Sequence, residues 1–588
     1  MKNRTFSLVV VWWIAAILFA NTFGATPASH AADQTQAPGA QYSVFLPLVQ
    51  VSAGPTPGQP AVSDQQVIAA ALQDGTIDYG TSLLYRAYAL FADPRLPQAF
   101  QGAGSEGEDR ELFEAMADPT LPLETQAALK PFLVRPSHPE SVHSQPRSSL
   151  AATGSTRAAG ASDILCAEYG WASLRSAKPG VAATVHARCG LPGVEADMRT
   201  TLAMIESLWE PMTTLMREPV GDVGGQPGSP DDTIDFFLLE PLGGVWRDGY
   251  TTAISKGALH STIAAPPQIA QHSSAFVLLA RSDIATPTFK SSVAHEFFHV
   301  LQSAHNETIL NNNGKTWWFT EASAVWAESY FVRETSHEGV HRYFPTMFLP
   351  SRLPLHQSFG RAPHENRLLM YASYIWPFFM EQERGAEAIG RVWAKLADIV
   401  DGDWETGLQV IDRELPFEAN FHRFALRNLN SAFYPDNPLG TRYVDLDPGF
   451  YDEYMPKPEV VEQLQGLDDS APSRAFPVEI PALKAHYYHF SMAESVQQVR
   501  FDFGAIAPIG ERTISAVLKI KGRPWEVREN LPNSVTFCDE QEPLEDIWIV
   551  VSNHSTTIGP TVSGPLLARP LKTPCGCSAE QIEQIAAV

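Results

Sequence analysis

One short motif in this sequence has the residue types and the spacing of a metal site. It reads His295-Glu296-Phe297-Phe298-His299, the pattern H-E-x-x-H. On a helix, residues four apart share a face, so both imidazoles can reach one metal ion. Glu296 lies about 100° around the helix from His295, near the metal without facing it directly, which is the position of a general base. The motif therefore predicts a zinc site with His295 and His299 as ligands.

The sequence around the motif predicts the helix that this site requires. The side chains that fall opposite the two histidines are apolar, as on a helix that buries one face. They are Val293, Phe297, Val300, Leu301 and Ala304. Asn306 and the Asn-rich segment 311–314 predict the end of the helix. The histidine face is thus left for metal chemistry.

A catalytic zinc has three protein ligands and a water, so a third ligand must lie elsewhere. His305 has the spacing of the pattern H-E-x-x-H-x-x-G-x-x-H, but Gln302 replaces the glycine that this pattern needs for its sharp turn. Glu321 lies in the segment 317–328, which predicts a second helix. A short connection between antiparallel helices would bring Glu321 over the histidine pair. These turn arguments favour Glu321 over His305.

The two segments together resemble a known family. HEFFHVLQ at 295–302 and WFTEASAVWAE at 318–328 are similar to the gluzincin metallopeptidases, and in particular to secreted bacterial metalloproteases with the patterns HEFFH-x-x-Q and W-x-x-E-A-x-A-V-W-x-E. The resemblance implies a zincin-like domain in which Glu321, from the second helix, is the third zinc ligand. It implies that Glu328 either orients a ligating histidine or is a surface acid in a salt bridge.

These parts predict a zinc metallopeptidase that hydrolyses protein or peptide substrates. Zinc held by His295, His299 and Glu321 would lower the pKa of its bound water and polarise the scissile carbonyl. Glu296 would accept the water proton and pass it to the leaving amine.

The resemblance also implies a side chain that stabilises the oxyanion, because gluzincins commonly use a downstream Tyr or His for this. Tyr374 and Tyr371 are the candidates, since both lie in a later apolar stretch that could return to the cleft. A tyrosine in an aromatic-rich helix is also typical of a core.

The N-terminus has the features of a secretory signal peptide. Lys2 and Arg4 precede an apolar run at 6–20, and small residues at 29 and 31 allow cleavage near Ala31. The apolar run is short for a membrane span. The sequence therefore predicts a secreted, extracellular protein without membrane association after signal cleavage.

Charge and cysteines agree with this location. Asp and Glu outnumber Lys and Arg by 66 to 42, a formal charge of -24, which argues against a nucleic-acid partner. The five cysteines suit an oxidising compartment. Cys166 and Cys189 are one candidate disulfide, and Cys538 can pair with Cys575 or Cys577.

The chain of 588 residues is too long for one ordinary core. We expect an α+β protein with a zincin-like catalytic domain, an N-terminal helical segment and a C-terminal β-sandwich. The predicted parts are a signal peptide at 1–31, a linker at 32–62, a helical region at 63–136, a linker at 137–161, the metallopeptidase domain at 162–435, a linker at 436–473, the β-sandwich at 474–574 and a tail at 575–588.

Two expectations about this organisation can be checked against the structure. The helical region is either an inhibitory pro-segment or a permanent accessory domain, since its place between the signal peptide and a linker fits both. The apolar run at 275–280 predicts a strand directly before the zinc helix. The resemblance implies that this strand is the edge of the sheet and lines a cleft, where an extended substrate adds by backbone pairing.

Two other functions compete with a peptidase. In one, the chain is a secreted adhesion or binding protein with an inactive zincin domain and a functional β-sandwich. In the other, the same zinc centre hydrolyses an amide outside proteins. Glu296 favours an enzyme, because a purely structural zinc site has no need of a general base.

Overall fold

The structure is a computed structural model. It describes residues 63–91, 93–102, 120–143, 165–166, 170–221, 232–240, 249–253, 274–310, 317–332, 354–356, 373–399, 404–429, 438–439, 460–467, 473–494, 496–539, 542–557 and 561–571. The predicted signal peptide at 1–31, the linker at 32–62, Tyr371 and the tail at 575–588 lie outside these residues. Within the described part, no helix is both long enough and apolar enough to span a membrane.

The described residues contain both helices and sheets, in agreement with the α+β class. The helices are α1 (Asp64–Gln73), α2 (Tyr79–Leu90), α3 (Leu123–Leu133), α4 (Val194–Leu215), α5 (Phe289–Leu310), α6 (Trp317–Phe331), α7 (Ile375–Arg384), α8 (Glu387–Leu396), α9 (Trp404–Glu414) and α10 (Phe417–Leu429). The strands are β1 (Leu165–Cys166), β2 (Trp171–Arg175), β3 (Ala183–Arg188), β4 (Ile234–Leu239), β5 (Gly249–Ala253), β6 (Ala275–Ala280), β7 (Val460–Leu467), β8 (Arg474–Ile480), β9 (Lys484–Met492), β10 (Gln498–Asp502), β11 (Arg512–Ile520), β12 (Glu526–Arg528), β13 (Ser534–Cys538), β14 (Leu544–Asn553) and β15 (Val562–Pro570).

The first six strands form one sheet next to the motif helix α5. Their order across the sheet is β1-β2-β3-β4-β6-β5. Strands β3, β4 and β6 run parallel, and the pairs at either side are antiparallel. Strands β4 and β6 are buried at every position, because layers of helices cover both faces of the sheet.

The expectation that the strand at 275–280 forms the edge of this sheet is wrong. Strand β5 pairs antiparallel with β6, from Gly249 opposite Leu279 to Ala253 opposite Ala275. Among the described residues β5 is therefore the last strand of the sheet, and it also contacts α5. Its sequence GYTTA contains Tyr and Thr, which are common in strands, but it has no apolar run to indicate that it pairs beside the buried strand β6.

Helices α4 and α5 cover one face of the sheet, and α6 packs against α5. The five apolar residues predicted for the buried face of α5 are all inaccessible to solvent. One of them, Phe297, stacks on Trp209 of α4 with 4.9 Å between ring centroids. Extended backbone at Asn306 interrupts α5, and the side-chain amide of Asn306 donates to the carbonyls of Leu396 and Ile399. The helix thus has a kink at Asn306 and ends at Leu310, directly before the Asn-rich segment that predicts its end.

The N-terminal helices cover the opposite face of the sheet. Phe237 of β4 and Phe276 of β6 lie in one buried cluster with Leu83 of α2 and other residues of α2 and α3. Arg135, just after α3, forms a buried ion pair with Asp235 of β4, with 2.7 Å between Nη1 and Oδ2. The helical region therefore shares a core with the sheet, which favours a permanent domain over a removable pro-segment.

We expect the active protein to retain this helical layer. Its removal would expose Phe237 and Phe276, each worth about 1.5–3 kcal/mol of burial. It would also leave Asp235 without Arg135, and breaking a buried ion pair in this way costs about 3–5 kcal/mol. N-terminal sequencing of active protein from culture medium should give a start before residue 63. An active form that begins after residue 143 would identify the helices as a pro-segment.

The strands after residue 460 form two sheets that share one core. The order is β13-β10-β15-β8 in one sheet and β12-β11-β14-β9-β7 in the other. Phe476 from the first sheet and Phe490 from the second lie in the same buried cluster. Strand β7 pairs in parallel with β9, although it falls inside the segment 436–473 that the sequence assigned to a linker.

Helix α10 packs against the five-stranded sheet through a buried histidine. Both ring nitrogens of His422 lie 2.7 Å from a hydroxyl oxygen, Nδ1 from Ser552 and Nε2 from Ser515. A neutral imidazole suits this position, because one hydroxyl can donate to it while the other accepts from it. Burial, with a smaller contribution from the charge of His554, lowers the pKa of His422 to about 3.

We expect the buried His422 to contribute less to the free energy of unfolding as the pH falls. The pKa of His422 is about 3 in the folded protein against 6.5 ordinarily, so between these values the unfolded chain binds more protons. The contribution of His422 to the free energy of unfolding is full above about pH 6.5 and falls by about 1.4 kcal/mol per pH unit below it. Urea unfolding should show the stability difference between the parent and His422→Gln shrinking from pH 7 to pH 5. A constant difference would contradict the assignment.

Candidate metal centre

Two neighbouring helices bring three metal-ligand side chains to one point. His295 and His299 project from α5, and Glu321 projects from α6. The two Nε2 atoms are 3.0 Å apart, and Glu321 Oε2 lies 3.2 Å from His299 Nε2 and 3.4 Å from His295 Nε2. All three residues are buried. They form a group that could hold a metal ion, with the three residues that the sequence predicts as ligands.

The spacing of these atoms fits a small tetrahedral ion. Bonds of about 2.0–2.1 Å at tetrahedral angles require ligand atoms about 3.3–3.4 Å apart. The observed separations of 3.0, 3.2 and 3.4 Å differ from this by a few tenths of an ångström at most. An ion could therefore bind here with side-chain adjustments alone.

Glu328 fixes the proton position on the first ligand. Its Oε1 lies 2.7 Å from His295 Nδ1, and both side chains are buried. An ionised carboxylate can only accept a hydrogen bond, so Nδ1 of His295 must carry a proton, and Nε2 is the nitrogen that can give its lone pair to a metal ion. The structure thus brings Glu328 to a predicted ligand, His295, and this contact fits the first of the two roles that the resemblance left open.

The charge of Glu321 is set by two opposing effects. Burial raises the pKa of Glu321. The charges of His299 and His295 and their hydrogen bonds to Glu321 lower it by more, so its pKa lies well below the ordinary value. Glu321 is therefore ionised at neutral pH and ready to act as a ligand. A buried carboxylate needs a compensating positive charge, and a divalent cation between the three side chains would supply it.

His305, the alternative third ligand, does not join the group. Among the described residues, the metal group contains Glu321 and not His305. The reason is the one expected from the sequence: α5 stays helical through Gln302, which carries His305 about 280° around the helix from His295. His305 is instead buried directly before the break at Asn306.

For the residues predicted to act on the substrate, the structure gives position and burial. Glu296 follows His295 on α5 and is buried, with 3% of its surface exposed. Tyr374 is fully buried at the start of α7, in the same core cluster as residues of α5 and α6. Tyr371 lies outside the described residues. The base role of Glu296 and the oxyanion role of the tyrosines stay predictions.

Sequence reasoning missed one contact of the metal centre. Gln302, treated above only as the replacement of a glycine, has its Oε1 2.7 Å from His299 Nδ1. The signal was present in the spacing, because residues three apart on a helix are neighbours.

We expect Glu321→Ala to lose metal and His305→Ala to keep it. Removing Glu321 leaves two neutral imidazoles, which bind zinc much more weakly than three ligands with a negative charge. After dialysis against a mild chelator, elemental analysis should find about one zinc per chain in the parent and in His305→Ala, and little in Glu321→Ala. Metal loss in His305→Ala alone would restore His305 as the third ligand.

Comparison with known proteins does not assign the chain to a family. Neither a protein-family model nor a curated protein matches the sequence.

Proposed function

We propose that the protein is a secreted zinc metallopeptidase of gluzincin type. In this proposal the region around the six-stranded sheet is a zincin-like catalytic domain, and the two C-terminal sheets form a β-sandwich. The observation that carries the proposal is the convergence of His295, His299 and Glu321 at one buried point, with Glu296 beside the first ligand.

The number and type of ligands favour a catalytic zinc. Structural zinc sites use four protein ligands, whereas catalytic sites use three and leave a position for water. Within the described residues the group has three members, His295, His299 and Glu321. Two imidazoles and one carboxylate at tetrahedral spacing suit zinc better than calcium or magnesium, which prefer more numerous oxygen ligands.

The chain supplies proton transfer and orientation in the proposed mechanism. When bound, zinc would lower the pKa of a water and polarise the scissile carbonyl. Glu296 accepts the proton of the attacking water and gives it to the leaving amine. Glu328 holds His295 with its Nε2 lone pair towards the metal site.

The position of β5 supports a peptide as substrate. Among the described residues β5 is the last strand of the sheet, and it contacts the metal helix α5. An extended peptide can pair with such a strand by backbone hydrogen bonds, and its scissile bond would then lie beside α5. The formal charge of -24 gives no support to a nucleic-acid substrate.

Two disulfide-bonded cysteines support secretion. Cys189 and Cys538 are each in a disulfide, and such bonds persist mainly in oxidising compartments. Together with the signal-peptide pattern at 1–31, they favour an extracellular protein. The pairing of Cys189 with Cys166, and of Cys538 with Cys575 or Cys577, stays a prediction.

We expect Glu296→Gln to keep zinc and to lose hydrolysis. The variant preserves the three ligands but cannot accept the water proton, and general-base catalysis is worth about 10²- to 10⁴-fold in rate. Casein digestion by parent and variant, each at the same measured zinc content, tests this.

A chelator control should abolish the parent activity, and added zinc should restore it. Undiminished digestion by Glu296→Gln would contradict the mechanism. A parent that binds zinc but digests no protein would favour the binding-protein alternative or an amide substrate outside proteins.

A further inference from the structure

Gln302 joins the two metal helices directly behind His299. Its side chain is fully buried, and its Oε1 lies 2.7 Å from His299 Nδ1. Its Nε2 lies 3.0 Å from the carbonyl oxygen of Thr320 and 3.1 Å from Ser323 Oγ, both on α6. Since Thr320 directly precedes Glu321, one amide group contacts the second ligand and the turn that carries the third.

The partners of Gln302 determine which way its amide faces. The Thr320 carbonyl can only accept a hydrogen bond, so the amide nitrogen of Gln302 must face it. The amide oxygen then faces His299, and Nδ1 of His299 must donate to it. His299 therefore carries its proton on Nδ1, and the Nε2 lone pair is left for the metal.

A second contact fixes the same orientation independently. Ser323 Oγ donates its only proton to a backbone carbonyl of its own helix, that of Phe319 at 2.6 Å or that of Thr320 at 3.3 Å. The hydroxyl must therefore accept from its other neighbours, the Gln302 amide nitrogen and Trp393 Nε1, at 3.1 and 3.2 Å. Trp393 is buried on α8, so the Ser323 hydroxyl that accepts from Gln302 is itself held by a further helix.

We propose that Gln302 is a positioning residue of the metal centre, which fixes the tautomer and ring orientation of His299 and holds α6 at the distance that Glu321 needs. This inference rests on the proposed zinc function. The role requires a side chain that accepts from His299 and donates to Thr320 at the same time. An amide does both, an ionised carboxylate only accepts, and a thioether does neither to a useful extent.

The test compares Gln302→Met, which removes both contacts at similar volume, with Gln302→Glu, which keeps only the acceptor. Gln498→Met is the matched control, because Gln498 is also a buried glutamine, in the C-terminal sheets. The dissociation constant of Zn²⁺ is measured by competition with a chromophoric chelator. Thermal unfolding of each metal-free variant shows whether it folds, and the visible absorption of bound Co²⁺ reports the coordination geometry.

We expect Gln302→Met to weaken Zn²⁺ binding by about 10- to 100-fold and to alter the Co²⁺ spectrum. Gln302→Glu should fall between this variant and the parent, and Gln498→Met should bind like the parent. If Gln302→Met does not fold, weaker Zn²⁺ binding by Gln302→Glu than by the parent is the result that supports the proposal. Parent-like affinity and spectrum in the folded Gln302 variants would overturn the proposal. Because the readout is metal affinity, this outcome differs from failure of the proposed function, which shows as absent hydrolysis by a zinc-loaded parent.

Discussion

The metal centre depends on one constraint: an ionised carboxylate must lie between two imidazoles inside the protein. Glu321 is almost inaccessible to solvent, and its oxygen lies within 3.4 Å of both His295 and His299. Burial alone would favour the neutral acid, so the ionised form depends on positive charge from the histidines or a cation. Helices α5 and α6 must therefore lie close together, because the electrostatic stabilisation of the Glu321 carboxylate weakens as the ligand atoms move apart.

The surrounding layers keep these two helices in place. On one side the apolar face of α5 packs on the sheet and on α4, where Phe297 stacks on Trp209. On the other side Trp326 of α6 donates from Nε1 to Glu381 of α7 at 2.9 Å. The sheet in turn is covered from behind by the N-terminal helices, so its strands β4 and β6 are buried on both faces. A shift of either metal helix would disturb close packing in several layers at once.

The sequence predicts those parts of the site that depend on local spacing. His295 and His299 share a face of α5, and the choice of Glu321 over His305 follows from the absence of a glycine at 302. The contacts of Gln302 with Thr320 and Ser323 bridge 18 and 21 residues, so helical periodicity alone does not predict them.

The same distinction between local and long-range information applies to the fold. The apolar run of β6, and that of β4 apart from Asp235, indicate strands buried on both faces, so a second covering layer was predictable in principle. That the covering helices come from residues 64–133 depends on packing between distant segments. The order of β5 and β6 likewise depends on pairing between two segments separated by residues 254–273, and the edge strand that the resemblance implied was wrong.

The two histidines of the candidate metal centre have different partners, and charge explains why this would suit the proposed catalysis. Glu328, a carboxylate, orients His295, whereas Gln302, a neutral amide, orients His299. Each carboxylate near a divalent cation reduces its ability to polarise water and a carbonyl. With Glu321 as ligand and Glu296 as base, a further acidic partner at 302 would reduce it again and would oppose the Thr320 carbonyl. A neutral amide gives the same control of the imidazole proton without added negative charge, and so preserves the acidity on which the proposed hydrolysis depends.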